Sequence, residues 1–161
     1  MVIFINGSIN SGKSTIAKIL ASKIKNTAIL EIDFLRDFIN FMPLEKSINI
    51  NLENACLLIK NFVKHKINVV APYPISEKNY LFLKKMLKNL KTEIYFYTLN
   101  PKLSLVLKNR GKRKLNNWEK ERIKYHYKIK INKPSFGKII DNSFEEPEET
   151  TKKILKDIIT L

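Results

Sequence analysis

The sequence predicts an α/β fold, a five-stranded parallel sheet with helices on both faces. Short apolar runs rich in β-branched residues alternate along the chain with longer segments whose apolar positions recur at helical spacing. A loop bounded by two glycines joins the first apolar run to the first helical segment, as expected where a strand feeds directly into a helix. At 161 residues the chain is long enough for one α/β core, and its single cysteine supplies no disulfide framework.

Residues 2–5, Val-Ile-Phe-Ile, form the first strand, and Ile16, Ala17, Ile19, Leu20 and Ile24 mark one face of the helix that follows Lys13. Residues 28–32 read as the second strand, with Asp33 at its end and a short helix over 34–41. Ile50, Ala55, Leu58, Ile59, Phe62 and Val63 predict a helix over 49–64, and residues 67–71 a third strand ending in Pro72-Tyr73-Pro74. A helix over 77–90 leads to a strand over 93–98, and Asn100-Pro101 opens the next helix with proline in its first turn. The chain changes character at 110–122, where Arg110-Gly111-Lys112-Arg113-Lys114 reads as a basic connection before an amphipathic helix over 118–131. After a break at 134–137 come a last strand over 138–141, an acidic stretch, and a closing helix over 150–161. Right-handed crossovers gather the carboxyl ends of the strands on one edge, so Gly7, Asp33, Pro72, Pro101 and Asn142 should approach a common ligand site. No repeat, linker or second core is visible, so residues 1–161 are expected to form one domain.

The most informative stretch is Gly7-Ser8-Ile9-Asn10-Ser11-Gly12-Lys13-Ser14, which fits G-x-x-x-x-G-K-[ST] at every fixed position. This spacing turns successive backbone N–H groups of a tight loop inward around phosphate oxygens, where a helix begins and its dipole favours an anion. Residues 7–15, Thr15 included, are therefore expected to bind the phosphates of ATP. Lys13 would reach the β- and γ-phosphates and the Ser14 hydroxyl would take one Mg²⁺ position. The chain has only four glycines and two of them bound this loop. Asn10 stands at a position that tolerates left-handed backbone.

The formal net charge of +15 raises the question of a polyanionic partner. Arg36, Arg110, Arg113 and Arg122 are the only arginines among 30 basic residues, and lysine, isoleucine and asparagine are abundant together, as an A+T-rich coding sequence gives. The charge is scattered over many helices without an RNA-binding or aromatic–basic stacking pattern, so anionic small substrates are expected ahead of nucleic acid. Cys56, among Ala55, Leu57, Leu58 and Ile59, reads as a core residue. No apolar run approaches the length of a membrane span, and a strand beginning at residue 2 leaves no room for a targeting peptide; a cytoplasmic protein is expected.

Asp33, at a strand end facing the phosphate loop, could orient or deprotonate an acceptor hydroxyl, and Arg36 could hold an anionic group on the acceptor. The same two residues also suit an N-cap and a surface ion pair with Asp37. Arg110 and Arg113 straddle Gly111, and a lid over about 110–119 would bring guanidinium charge over a transferring phosphoryl group while excluding water. The third strand ends without the Asp or Glu that motor and switch ATPases place near Mg²⁺, which directs the reading towards small kinases. Tyr73 is a candidate for the acceptor pocket, with 36–63 forming its body and Phe34, Phe38, Phe41 and Met42 either an apolar wall or core. His65 and His126 are assigned no function.

With GSINSGKST, DFLR, YTLNPKLSLVLKNRGKR and IIDNSFEEPEET on the page, the chain resembles the small P-loop kinases, a group that includes shikimate, gluconate and adenylylsulfate kinases and chloramphenicol phosphotransferase. The resemblance runs nearly the whole length. It implies a nucleotide-kinase-like P-loop NTPase fold with a short lid, and ATP-dependent, Mg²⁺-assisted phosphoryl transfer to a hydroxyl. It also implies roles for Lys13, Ser14, Asp33, Arg36 and Arg110, with adenine contacted at the junction where Asn142 lies. The phenylalanine–threonine–glycine motif of adenylylsulfate kinases and the glycine-rich turn of shikimate kinases are absent, so no named substrate carries over. Three expectations remain open: a kinase for a small hydroxylated metabolite, a nucleotide or polynucleotide 5′-hydroxyl kinase, and a nucleotide-binding module without catalysis.

Overall fold

The computed structural model describes residues 1–40, 42–109 and 114–159. Strands β1 (Val2–Gly7), β2 (Thr27–Ile29), β3 (Asn68–Pro72), β4 (Ile94–Leu99) and β5 (Lys138–Ile140) form one sheet in the order β2-β3-β1-β4-β5, every pairing parallel. The first strand is central and all six of its residues are buried, which is why it reads as a continuous apolar run. Its period of two divides the core. Val2 and Phe4 join a cluster with Leu52, Ala55 and Ile59 of α2 (Leu44–Lys64) and Leu83 of α3 (Glu77–Met86). Ile3 and Ile5 join the opposite cluster, with Ile16, Ala17 and Leu20 of α1 (Lys13–Lys23) and Ile154 of α6 (Pro147–Ile159). Helices therefore cover both faces, as the alternation of apolar runs predicts. Cys56 is fully buried in the first cluster and burial pushes its thiol up to about 11, leaving it an inert core residue. Among the described residues no helix is long and apolar enough to cross a membrane.

Several boundaries differ from the sequence expectation. The second strand ends at Ile29, not residue 32, and Ile32–Phe38 is a 3-10 helix. Ile32 and Leu35 are three apart and both buried, a spacing that a three-residue turn brings onto one face. Asp33 thus lies inside the first turn rather than capping a helix, and no side chain caps it. Phe34 and Phe38 point outward, 66% and 84% exposed, so neither is core; Phe41 lies outside the described residues. The helix opened by Asn100-Pro101 is a single turn, α4 (Leu103–Val106), and α5 (Asn117–Lys128) starts from a capping box between Asn116 and Glu119. The closing helix starts at Pro147, so Glu148 and Glu149 fall in its first turn, at the positive end of the helix dipole.

One buried side chain ties the functional edge of the sheet together. Asn6 Oδ1 accepts from the backbone N–H of Gly7 and of Ile75, each at 2.7 Å, while Nδ2 donates to Thr98 Oγ1 and to the Ile131 carbonyl, each at 3.0 Å. All four hydrogen bonds of the amide are made, and the residue is 0% exposed. Asn6→Ala would strand buried donors and acceptors on four segments. The expected loss is roughly 3–4 kcal/mol of unfolding free energy in urea titrations, against less than about 1 kcal/mol for an exposed asparagine such as Asn117.

Candidate active site

The loop between β1 and α1 is built by backbone geometry that few residues allow. Gly7 has φ +144°, and a Cβ there would lie 2.6 Å from Ser11 Oγ and 2.9 Å from the Leu99 carbonyl. Gly12, left-handed at φ 99°, turns the chain into α1. Asn10 is left-handed too, at φ 62°, as its type permits. Its amide also donates to the carbonyls of Val106 and Lys108, at 2.9 and 3.0 Å, which binds the loop to α4 and its exit. That second task explains why asparagine rather than glycine suits the position. The Lys13 ammonium donates to the Ser8 carbonyl at 2.7 Å, across the mouth of the loop. No acidic residue sits in the first turn of α1 and no side chain caps it, so its first amides are left without a side-chain partner at the end of the helix that favours an anion.

A cavity of about 670 Å³ opens from this loop. Residues Ile9 to Ile16 line it together with Glu31, Asp33, Pro72 and the segment from Asn142 to Pro147. Asn142, predicted at this junction, donates through Nδ2 to the Ser11 carbonyl at 3.0 Å. Its Oδ1 and the Ser11 hydroxyl are buried without a hydrogen-bond partner among the described residues. Phe144 stands at the rim, 80% exposed, with the Lys102 ammonium 4.9 Å from its ring centre. The residues present fit a nucleoside triphosphate: a glycine-bounded loop with Lys13 for the phosphates, and the exposed Phe144 ring for the base. They also fit Mg²⁺. Among the described residues no cluster of three His, Cys, Asp or Glu could hold a metal unaided, but the exposed Ser14 hydroxyl opens into a cavity that Asp33 and Glu31 also line.

A second cavity, about 470 Å³, lies beyond Asp33. Asp33, Arg36 and Tyr73 line it as expected, and α5 contributes Trp118, Arg122, Tyr125 and His126. Asp33 is open to solvent on the cleft side yet closely surrounded by protein. That burial raises its carboxyl above the ordinary value of 3.8, opposed in turn by the positive charges of Lys13, Arg36 and Arg122. Tyr73 is 5% exposed, its phenol raised first by burial and then by the Asp33 charge, and so stays protonated. Neither Arg36 nor Arg122 forms an ion pair with a carboxylate of the described residues, so the surface pairing considered for Arg36 is not made. Arg110 and Arg113 lie outside the described residues, and Phe34 and Phe38 do not line either cavity.

His126 is the residue that sequence reasoning missed. It is 3% exposed, and its Nδ1 stands 3.3 Å from the Ser8 hydroxyl in the phosphate loop. Burial, then the charges of Lys13 and Arg122, lower its pKa from 6.5 to about 3, so the ring is neutral at physiological pH. The available signal was positional: Trp118, Arg122, Tyr125 and His126 recur at helical spacing and share one face of α5. A histidine whose folded pKa is lowered stabilises the fold above its unfolded value, and that contribution is lost as pH falls from 6.5 towards about 3. Unfolding free energy should therefore drop by roughly 1.4 kcal/mol per pH unit across that window through His126 alone. In His126→Gln the curve should flatten by that amount; parallel curves for the two proteins would mean that the ring is freely protonated.

Neither a protein-family model nor a curated protein sequence matches the chain. Solved structures do. The tunicamycin resistance protein of Deinococcus radiodurans superposes with a TM-score of 0.71 at 18% identity, over 98% of this chain and 94% of that one. A gluconokinase from Sinorhizobium meliloti 1021 gives 0.70 at 14% identity, over 96% and 89%. Kti12 of Chaetomium thermophilum, solved with ADP-AlF3, gives 0.69 at 14% identity, over 99% and 98%. With its parallel five-stranded sheet and glycine-bounded loop, the chain has the fold of the P-loop kinases.

Proposed function

We propose that this chain is a cytoplasmic kinase that uses ATP and Mg²⁺ to phosphorylate a hydroxyl group of a small metabolite. The observation that carries the reading is that Asp33 lines both cavities, standing on the boundary between the phosphate loop and the second pocket. An acceptor in the second pocket would meet the γ-phosphoryl group of ATP at that boundary, the arrangement that in-line transfer requires. Asp33 would take the hydroxyl proton as the acceptor oxygen bonds to phosphorus, and ADP would leave with the electron pair of the broken P–O bond. Its raised pKa makes it a better proton acceptor than an ordinary aspartate, and the surrounding cations keep it ionised.

Lys13 would leave the Ser8 carbonyl and neutralise charge on the transferring group. Ser14 would hold Mg²⁺, which when bound supplies charge neutralisation between the phosphates. Arg110 and Arg113 keep the clamp and lid role read from the sequence, supported by the tie from Asn10 to the carbonyls of Val106 and Lys108, just ahead of that segment. Asn142 and Phe144 would contact the base.

Lys13→Ala should lower phosphoryl transfer from ATP to a pooled metabolite mixture by at least about a hundredfold. Asp33→Asn should lower kcat by roughly a hundredfold or more while leaving the Kd for ADP nearly unchanged. Because the base must be ionised and its pKa is raised, kcat should fall on acidification at a pH above 3.8, the ordinary aspartate value. Full function in Asp33→Asn with intact ADP binding would instead favour a nucleotide-binding module without catalysis.

A further inference from the structure

The second cavity carries chemistry that its place beside Asp33 does not require. Trp118, the only tryptophan of the chain, lines it and is 59% exposed, although a large indole on a helix ordinarily packs inward. Tyr125, seven residues further along the same face of α5, is 46% exposed and lines it too. Between them Arg122 lies with its guanidinium carbon 5.1 Å from the Tyr125 ring centre, a cation held against an aromatic face and paired with no carboxylate of the described residues. Arg36 brings a second unpaired guanidinium from the 3-10 helix. Asn51 of α2 lines the same cavity at 3% exposure, and its amide oxygen has no partner.

These features define a ligand. Exposed aromatic faces lining a concave site favour a flat, weakly hydrated ring. Two guanidiniums that form no ion pair with a carboxylate of the described residues, though Asp33 and Glu119 line the same cavity, favour an anionic substituent, since their planar donors match the oxygens of phosphate, sulfate or carboxylate. The unsatisfied Asn51 oxygen asks for an N–H or O–H donor on the ligand. A polyhydroxylated sugar acid offers the charge but not the ring; an uncharged aromatic alcohol offers the ring but leaves both arginines unanswered.

We propose that the second cavity takes an acceptor built as a flat ring that bears an anionic group and a hydrogen-bond donor. The assignment rests on the kinase reading for its consequence, since such a molecule would be the one phosphorylated at Asp33. Nucleoside monophosphates and hydroxylated aromatic phosphates or acids share this chemistry.

The lone tryptophan makes the test direct. With saturating ADP filling the phosphate-loop cavity, Trp118 fluorescence is followed during titration with adenosine and uridine 5′-monophosphates, phenyl phosphate, the uncharged nucleosides, gluconate and inorganic phosphate. The anionic ring compounds should give saturable changes, with the nucleosides, gluconate and phosphate weaker by about tenfold or more. Binding of the nucleotides but not of phenyl phosphate would identify a nucleotide acceptor; binding of all ring anions, a simpler aromatic one. Arg122→Met should weaken the anionic rings about tenfold without changing the nucleosides, and Arg122→Lys should restore part of the loss. Gluconate or inorganic phosphate binding as tightly as the ring anions would overturn the proposal, as would an Arg122→Met protein that binds them unchanged. ADP affinity, measured separately by calorimetry for each variant, reports folding and keeps the two readings apart. Absence of ADP binding would sink the kinase, whereas intact ADP binding without ring selectivity would sink only this acceptor.

Discussion

The site depends on one buried amide. Asn6 ends the central strand, where a parallel sheet gathers loops from different parts of the chain, and its four hydrogen bonds reach four of those segments. The Gly7 amide starts the phosphate loop. The Ile75 amide follows the turn that carries Tyr73, Thr98 is the residue before the end of β4, and the Ile131 carbonyl lies just after α5 with its Arg122 and His126. An apolar residue at this point could fill the volume but could not satisfy two N–H donors and two acceptors in the sheet's interior. A polar side chain in the core thus confers specificity of arrangement on loops whose own sequences do not dictate where they meet.

Charge at the boundary of the two cavities is arranged around the Asp33 carboxylate. Lys13, Arg36 and Arg122 all favour the ionised form of Asp33, while burial opposes it, and the net direction is upward. In this cationic neighbourhood a protonated His126 would add a fourth positive charge against Lys13 and Arg122. Burial prevents it, and the neutral ring instead spans from the acceptor wall to the Ser8 hydroxyl in the phosphate loop. Ser8 therefore meets two groups of the cleft, with its carbonyl accepting from Lys13 and its hydroxyl beside His126. Movement of Lys13 towards a phosphate would alter the loop residue to which α5 is tied, a physical route by which the two cavities can sense one another.

Legibility in the sequence follows the range of the interactions. The phosphate loop is readable because its constraints are local: Gly7, Asn10 and Gly12 each meet a backbone demand set within a few residues, and strand and helix flank them. The sheet is readable because continuous burial of β1 leaves a continuous apolar run. The place of Asp33 at the ligand-facing edge of the sheet is readable, but its local geometry is not. A strand of 28–32 with a cap at Asp33 obeys local propensity, whereas the three-residue spacing of Ile32 and Leu35 against the core selects a 3-10 turn. The local pattern puts Trp118 and His126 of α5 on one face but does not say what that face meets, since both look alike as members of a lysine-rich amphipathic helix. Only the packing of that helix decides that one is exposed in a cavity and the other sealed against Ser8.

The end of β3 shows how an absent group shapes the rest. Where a carboxylate would stand near Mg²⁺ in many P-loop proteins, Pro72 faces the phosphate cavity and the adjacent Tyr73 faces the second one, as the period of two along a strand requires. Proline is tolerated there because it is the last residue of β3, and the ladder continues through the Tyr73 amide, which donates to the Ile5 carbonyl at 3.0 Å. Its fixed φ holds the turn that delivers Tyr73 beside Asp33. The position thus contributes no metal ligand, but it does help to shape the wall of the second cavity. Asp33 and Glu31 are then the acidic residues that reach the phosphate cavity from the β2 side, and Asp33 alone of the two also reaches the second pocket. A carboxylate placed between two cavities, with a proline and not a carboxylate ending β3, is the arrangement on which the proposed proton transfer rests.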